Sequence, residues 1–307
     1  MSGLQLVWRR VAVAALVIAM AGSVSGCASS LMDGIWGDGS SSDTAAASAP
    51  MAGGSIAPDM GTAGEDDAVA KLYNKGVERL KSHEYTSALK SFSEVERQYP
   101  YSSWATKSIL MQAYASYEYG SFDDAINAAN RFITLHPGHK DAPYAYYLIA
   151  LSNYTRINDT KHDQTTTQKA LDDLEEVGRR FPGTPYAADV ASKVVMAKDH
   201  LAGKEMEVGR YYYLHGSYLA GINRFKRVVT DYQNTSQTPE ALYRLSEGYM
   251  ALGVVSEAQT AAAVLGHNFP NSQWYKDAYT LVAADGQAPV ENQESWISKT
   301  FKSINPL

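Results

Sequence analysis

Residues 122–137 read Phe122-Asp123-Asp124-Ala125-Ile126-Asn127-Ala128-Ala129-Asn130-Arg131-Phe132-Ile133-Thr134-Leu135-His136-Pro137, and this stretch decides the fold. Phe122, Ala125, Ile126, Ala129, Phe132 and Ile133 fall on one stripe at helical spacing. Asp123, Asp124, Asn127 and Asn130 fall on the other side. A small residue in mid-stripe lets a second helix approach closely. Proline twelve residues later ends the helix, because it lacks an N–H and clashes with the preceding turn.

The same Ala-to-Pro offset of twelve recurs at Ala88 and Pro100, Ala170 and Pro182, and Ala258 and Pro270. Gly221 and Gln233 form a degenerate copy. Small residues precede by another twelve at Gly76, Ala113 and Gly209. A large residue stands three before the small one at Tyr85, Phe122 and Tyr218, and Phe92 and Phe225 follow it by four. Turn residues sit where the pattern needs them, at Gly120-Ser121, Pro137-Gly138, Pro182-Gly183 and Gly216-Ser217. This self-similarity predicts an all-α superhelical solenoid of the tetratricopeptide-repeat type, with about five helix pairs.

Two departures stand out. Ala150 holds the small position of a first helix, but Ala170 lies 20 residues on, so a polar insert near 157–167 is expected. Residues 186–215 carry no breaker stronger than Gly203 and Gly209, so one long helix is an open reading.

Upstream, Trp8-Arg9-Arg10 is followed by an apolar run from Val11 to Ala21. That run is too short to span a bilayer, which takes about 20 residues, but suits the core of a signal peptide. Val24-Ser25-Gly26-Cys27 resembles a bacterial lipobox, and Cys27 is the only cysteine in the chain. The resemblance implies a signal peptide over 1–26 and a diacylglyceryl anchor on Cys27. Two or more acyl chains hold a protein on a membrane durably where one does not. Ala28 after the cysteine implies sorting to the inner leaflet of the outer membrane, facing the periplasm of a Gram-negative bacterium.

Residues 28–64 contain no Tyr, Phe, Lys or Arg and have no helical or strand period. Such a segment buries too little apolar surface to offset its ordering entropy. The expected plan is a lipidated linker over 27–64, about 30–35 Å from end to end, then a repeat domain over 65–285 and a tail over 286–307. Leu31, Met32, Ile35 and Trp36 break the linker's polarity and are candidates for membrane or partner contact. In the tail, Trp296, Ile297, Phe301 and Ile304 suit one face of a short helix. A cap on the array, an arm for an accessory subunit and a disordered end all remain open.

Charge and motifs narrow the function. The net charge is −6, and removal of Arg9 and Arg10 with the signal leaves 25 basic against 33 acidic residues, or −8. That balance argues against nucleic acid, since phosphate contacts need a basic surface. One cysteine builds no disulfide framework. There is no glycine-rich phosphate loop, no His-Glu-x-x-His and no Gly-x-Ser-x-Gly. His136 and His139 flank an inter-repeat turn without a third ligand nearby in sequence. No catalytic residue, metal site or cofactor is expected, and an unrecognised hydrolytic site is the enzymatic alternative.

Several stretches, in order, resemble the BamD family, the lipoproteins of the outer-membrane β-barrel assembly machine. They are Tyr99-Pro100-Tyr101-Ser102-Ser103-Trp104-Ala105, Asn130-Arg131-Phe132-Ile133 with His136-Pro137, Asp163-Gln164, Arg179-Arg180-Phe181-Pro182, Gly209-Arg210-Tyr211-Tyr212 and Ile222-Asn223-Arg224-Phe225. The resemblance spans about 65–285. It implies a non-enzymatic scaffold whose carboxy-terminal repeats dock on the periplasmic domains of the barrel component, BamA, in company with accessory lipoproteins. Arg224 matches the family's docking arginine, with Asn223 and Tyr211 beside it; a guanidinium pairs with a carboxylate in bidentate fashion. The amino-terminal repeats are implied to receive unfolded outer-membrane β-barrel proteins, whose signal strands end in an aromatic residue. Tyr101, Trp104, Tyr114, Tyr117, Tyr144 and Tyr147 supply aromatic surface there, about half of it expected to be exposed. His162 stands where the family often has arginine, which weakens any charge role of that position. A pilotin or cell-envelope coordinator with the same fold and anchor is the alternative.

Overall fold

The computed structural model describes residues 63–157, 159–160 and 163–302, with the backbone alone for 63–66. Residues 1–62, with Cys27 and all but the last two residues of the expected linker, lie outside the described residues, as do His162 and Ile304; residues 63 and 64 already belong to the first helix. The described residues form twelve helices and no strand. They are α1 (Ala63–Lys81), α2 (Tyr85–Gln98), α3 (Ser103–Tyr119), α4 (Phe122–Leu135), α5 (Ala142–Thr155) and α6 (Thr165–Arg180). Then come α7 (Pro185–Leu214), α8 (Tyr218–Asp231), α9 (Thr238–Ala251), α10 (Val255–Asn268), α11 (Gln273–Ala284) and α12 (Trp296–Lys302). Odd-numbered helices from α1 to α9 are the first of a pair, even-numbered ones the second, which gives the five expected pairs. From α1 to α11 each helix packs on its chain neighbours, α12 packs on α10 and α8, and alternate helices also touch at α1–α3, α3–α5, α5–α7 and α9–α11.

The breakers act where the sequence placed them. Tyr99, His136, Phe181 and Phe269 leave helical geometry immediately before Pro100, Pro137, Pro182 and Pro270. Gly120 ends α3 at φ 84°, a left-handed conformation that costs glycine nothing. The Ser102 side chain caps α3 by accepting from the Ala105 N–H, and Thr184 caps α7 through Ala187 with Pro185 at the first turn.

The repeat core follows a rule of matched sizes. Ala88, Ala125, Ala170 and Ala258 are fully buried. Where the first helix carries glycine, at Gly76 and Gly209, the facing position of the second helix carries a phenylalanine, Phe92 or Phe225. A Cβ on Gly76 would lie 2.7 Å from the Phe92 ring, and one on Gly209 would strike Phe225. At the equivalent positions of repeats 2 and 5, Ala113, Ala129, Ser246 and Ala262 are all small and fully buried.

Residues 185–214 form one helix of 30 residues. Its first half packs on α6 and its second half on α8, so it joins the third repeat to the fourth without a turn. The tail is neither an arm nor a separate end in this structure. Ile297 is fully buried in the core cluster that contains Ile222, Val229, Leu245 and Leu265.

Candidate functional site

Two surfaces collect the residues singled out by sequence. The first lies on the first helices of repeats 1 to 3. Tyr101 projects from the α2–α3 turn and is 94% exposed. Trp104 is half-buried against Tyr73, ring to ring at 5.1 Å, with the Lys107 ammonium 4.7 Å from its centroid. Tyr114 and Tyr117 are also half-buried. Tyr144 and Tyr147, by contrast, are core residues, at 4% and 5% exposure. The expectation that half of the six would be exposed is corrected to one exposed, three half-buried and two buried.

The reason is helix α5. It is apolar on every side and is enclosed by α3, α4, α6 and α7. Tyr144 and Tyr147 stack on Tyr186 of α7 at 5.6 and 5.2 Å, and Tyr114 reaches Tyr144 at 6.5 Å. The Tyr147 hydroxyl donates to Asp189 at 2.7 Å, and the Lys193 ammonium donates to the same carboxylate at 2.7 Å. Burial pushes the Tyr73 hydroxyl up to about 12 and raises those of Tyr114 and Tyr144 as well. These phenols therefore stay neutral hydrogen-bond donors at physiological pH. Tyr73, Tyr186 and the exposed pair Val195 and Met196, the latter against Tyr154, belong to this surface and were missed. Aromatic neighbours across repeats have no signal at one helix's period.

The second surface lies on repeat 4. Arg224 is held in place: it donates to Glu205 on α7 at 3.2 Å, and Arg227 pairs with the other oxygen of that carboxylate at 2.8 Å. Glu205 is only 13% exposed, whereas the two arginines keep much of their guanidinium surface in solvent. Its hydrogen bond to the Glu205 carboxylate raises the Arg224 pKa further, so its charge is permanent. Tyr211 is exposed and stacks on His215 at 4.2 Å. Asn223 is exposed and borders a cleft of about 510 Å³ lined by Gly216, Tyr218, Leu219 and Leu252.

Two of the cleft's lining side chains are exposed leucines, Leu219 at 65% and Leu252 at 45%, and Leu214 and Val254, each two residues from a lining residue, are exposed as well. The equivalent turn of repeat 2 is polar. Its cleft of about 390 Å³ is lined by Asp123, Asp124 and Arg156, with Arg156 donating to Asp123 at 2.7 Å. Asn223, on the rim of the repeat 4 cleft, is followed in α8 by Arg224 and Arg227, the two arginines held by Glu205. Inward from it, Arg210 and Arg244 clamp Glu240.

His136 and His139 flank the Phe132 ring at 5.6 and 5.4 Å, which gives both a packing role. Among the described residues no group of three or more His, Cys, Asp or Glu side chains is arranged to hold a metal.

Comparison with known proteins narrows the reading. Residues 65–265 match the family model YfiO, described as "Outer membrane lipoprotein". Similar chains are named "Outer membrane protein assembly factor BamD". One from Caulobacter vibrioides is 47% identical over 73% of this chain and 74% of its own. Another from Rickettsia prowazekii is 44% identical over 70% and 85%. A third from Neisseria meningitidis is 35% identical over 70% and 84%.

Proposed function

Since the chain belongs to the YfiO family of outer membrane lipoproteins, alongside the BamD assembly factors, we propose that it is a lipid-anchored scaffold of the β-barrel assembly machine. It binds the barrel component BamA and unfolded outer-membrane proteins, and it is not an enzyme. Cys27 carries the lipid after removal of residues 1–26, and residues 27–64 tether the repeat body to the inner leaflet of the outer membrane. The body faces the periplasm, where accessory lipoproteins of the same machine complete the assembly.

The observation that carries this reading is the pairing of fixed charge with exposed apolar surface on one repeat. Arg224 and Arg227 are pre-positioned by Glu205, next to Asn223, Tyr211 and the Leu219–Leu252 cleft. A rigid, solvent-facing guanidinium loses little side-chain entropy when a partner carboxylate arrives. The aromatic surface of repeats 1 to 3 supports a second role, reception of an extended segment that ends in an aromatic residue. Tyr101, Trp104, Tyr114 and Tyr117 supply its contact surface, with Tyr144 and Tyr147 as the floor.

Depletion of the chain from its host tests the reading. Folded β-barrel proteins in the outer membrane should fall several-fold, with unfolded precursors accumulating in the periplasm. Unchanged barrel content under full depletion would overturn it.

A further inference from the structure

Helix α12 lies beyond the stretch matched by the family model, which ends at residue 265. The segment leading into it is stitched to three helices of two repeats. The Gln259 side chain of α10 donates to the Ala288 carbonyl at 3.0 Å, and the Asn292 N–H donates to Thr260 of α10 at 3.2 Å. Ser295 donates to Glu257 of α10 at 2.7 Å. The Trp296 indole N–H donates to the Tyr249 hydroxyl of α9 at 3.2 Å, and the Lys226 ammonium of α8 lies 4.7 Å from the Trp296 ring centroid. Ile297 is buried among residues of α8, α9 and α10, with Trp296 and Phe301 packed at the rim.

In a repeat array each unit is stabilised chiefly by its neighbours, so the last repeats, with fewer neighbours, are the loosest. Here the chain doubles back and adds a second connection between the second helices of repeats 4 and 5. We propose that residues 287–302 form a clasp that pins repeat 4 to repeat 5 and thereby fixes α8, the helix that presents Asn223 and Arg224. The second half of this inference rests on the docking reading; the first does not. The clasp covers the apolar strip between α8 and α10 and leaves the arginine-bearing side of α8 open to a partner.

Amide hydrogen exchange on the full chain in detergent, without any partner, tests the pinning. Trp296→Ala removes the indole bond and the Lys226 contact, and Ile297→Asp expels the buried anchor. Both should lower protection in α8 and α10 tenfold or more and leave α2 to α4 unchanged. A synthetic peptide of residues 287–307 added to the Ile297→Asp protein should restore it. Unaltered α8 protection while α12 exchanges freely would overturn the clasp, and so would a loss spread evenly over the array. The same variants should bind the periplasmic domains of BamA several-fold more weakly. Equal affinity with α8 loosened would overturn the presetting of the docking helix. Failure of the unaltered chain to bind would strike the docking reading and leave the exchange result standing.

Discussion

At the scale of the residue, the repeat is a negotiation over volume between two positions. Gly209 faces Phe225 and Gly76 faces Phe92, each glycine leaving the space that the ring fills. Gly209→Ala should therefore cost about 1–3 kcal/mol by overpacking, read as a lowered melting temperature. Phe225→Leu in the same chain should recover part of that loss, because contacting positions couple. Strict additivity of the two changes would contradict the size rule. Gly138→Ala, where an added Cβ meets nothing within 4 Å, serves as the neutral control.

The small positions were legible because they recur at a fixed offset from proline. Their partners were legible only in part, since facing residues sit on different helices and share no common period. Glu240 illustrates what sequence hides. Burial would raise its pKa, but hydrogen bonds and charge from Arg210, then Arg244, outweigh burial and hold it below the ordinary carboxylate value. A lowered folded pKa means the stabilisation is complete above the unfolded value near 4.5 and fades as pH falls through the folded one. Acid melting should thus be steeper in the unaltered chain than in Glu240→Gln. Parallel pH profiles would show that the clamp adds nothing.

At the scale of the element, one departure from the repeat, residues 186–215, is the joint between repeats 3 and 4. The glycines of residues 186–215 invited a break, yet both lie inside α7 as close-approach positions: a Cβ on Gly203 would lie 3.2 Å from Thr160 and one on Gly209 would strike Phe225. Glycine in a helix signals a stop only when nothing needs the space. Ala202 is fully buried in mid-helix. Ala202→Pro should cost about 3 kcal/mol or more and split the thermal transition into an amino-terminal and a carboxy-terminal step. One cooperative transition at an unchanged temperature would contradict continuity through α7. The tail could not be resolved by sequence for a different reason. Its apolar face was visible in Trp296, Ile297 and Phe301, but the surface it covers is assembled from α8, α9 and α10, some 30 to 75 positions upstream. Helix α5 misled in the opposite direction. Tyrosines read as groove became core because all sides of that helix are enclosed.

At the scale of the whole molecule, the repeat period gave the fold class and the ordered short motifs behind the lipobox pointed to the family. The proposed docking face did not follow from them alone. The motif holding Arg224 was visible, but the exposed leucines around it and the Glu205 bridge are products of folding. Cys27→Ser should move the protein from the membrane to the soluble fraction, since the lipid proposed on that cysteine is its hold on the membrane. Retention in the membrane pellet would place the hold elsewhere.

Repeat 4 as the proposed docking face is reached directly by one titration. The full chain and its Arg224→Glu form, shown by circular dichroism to melt alike, are titrated with the periplasmic domains of BamA from the same organism. The reversal should weaken binding tenfold or more, about 1.4 kcal/mol. Equal affinity of the two forms would contradict the docking face, and absence of binding by either would contradict the scaffold itself.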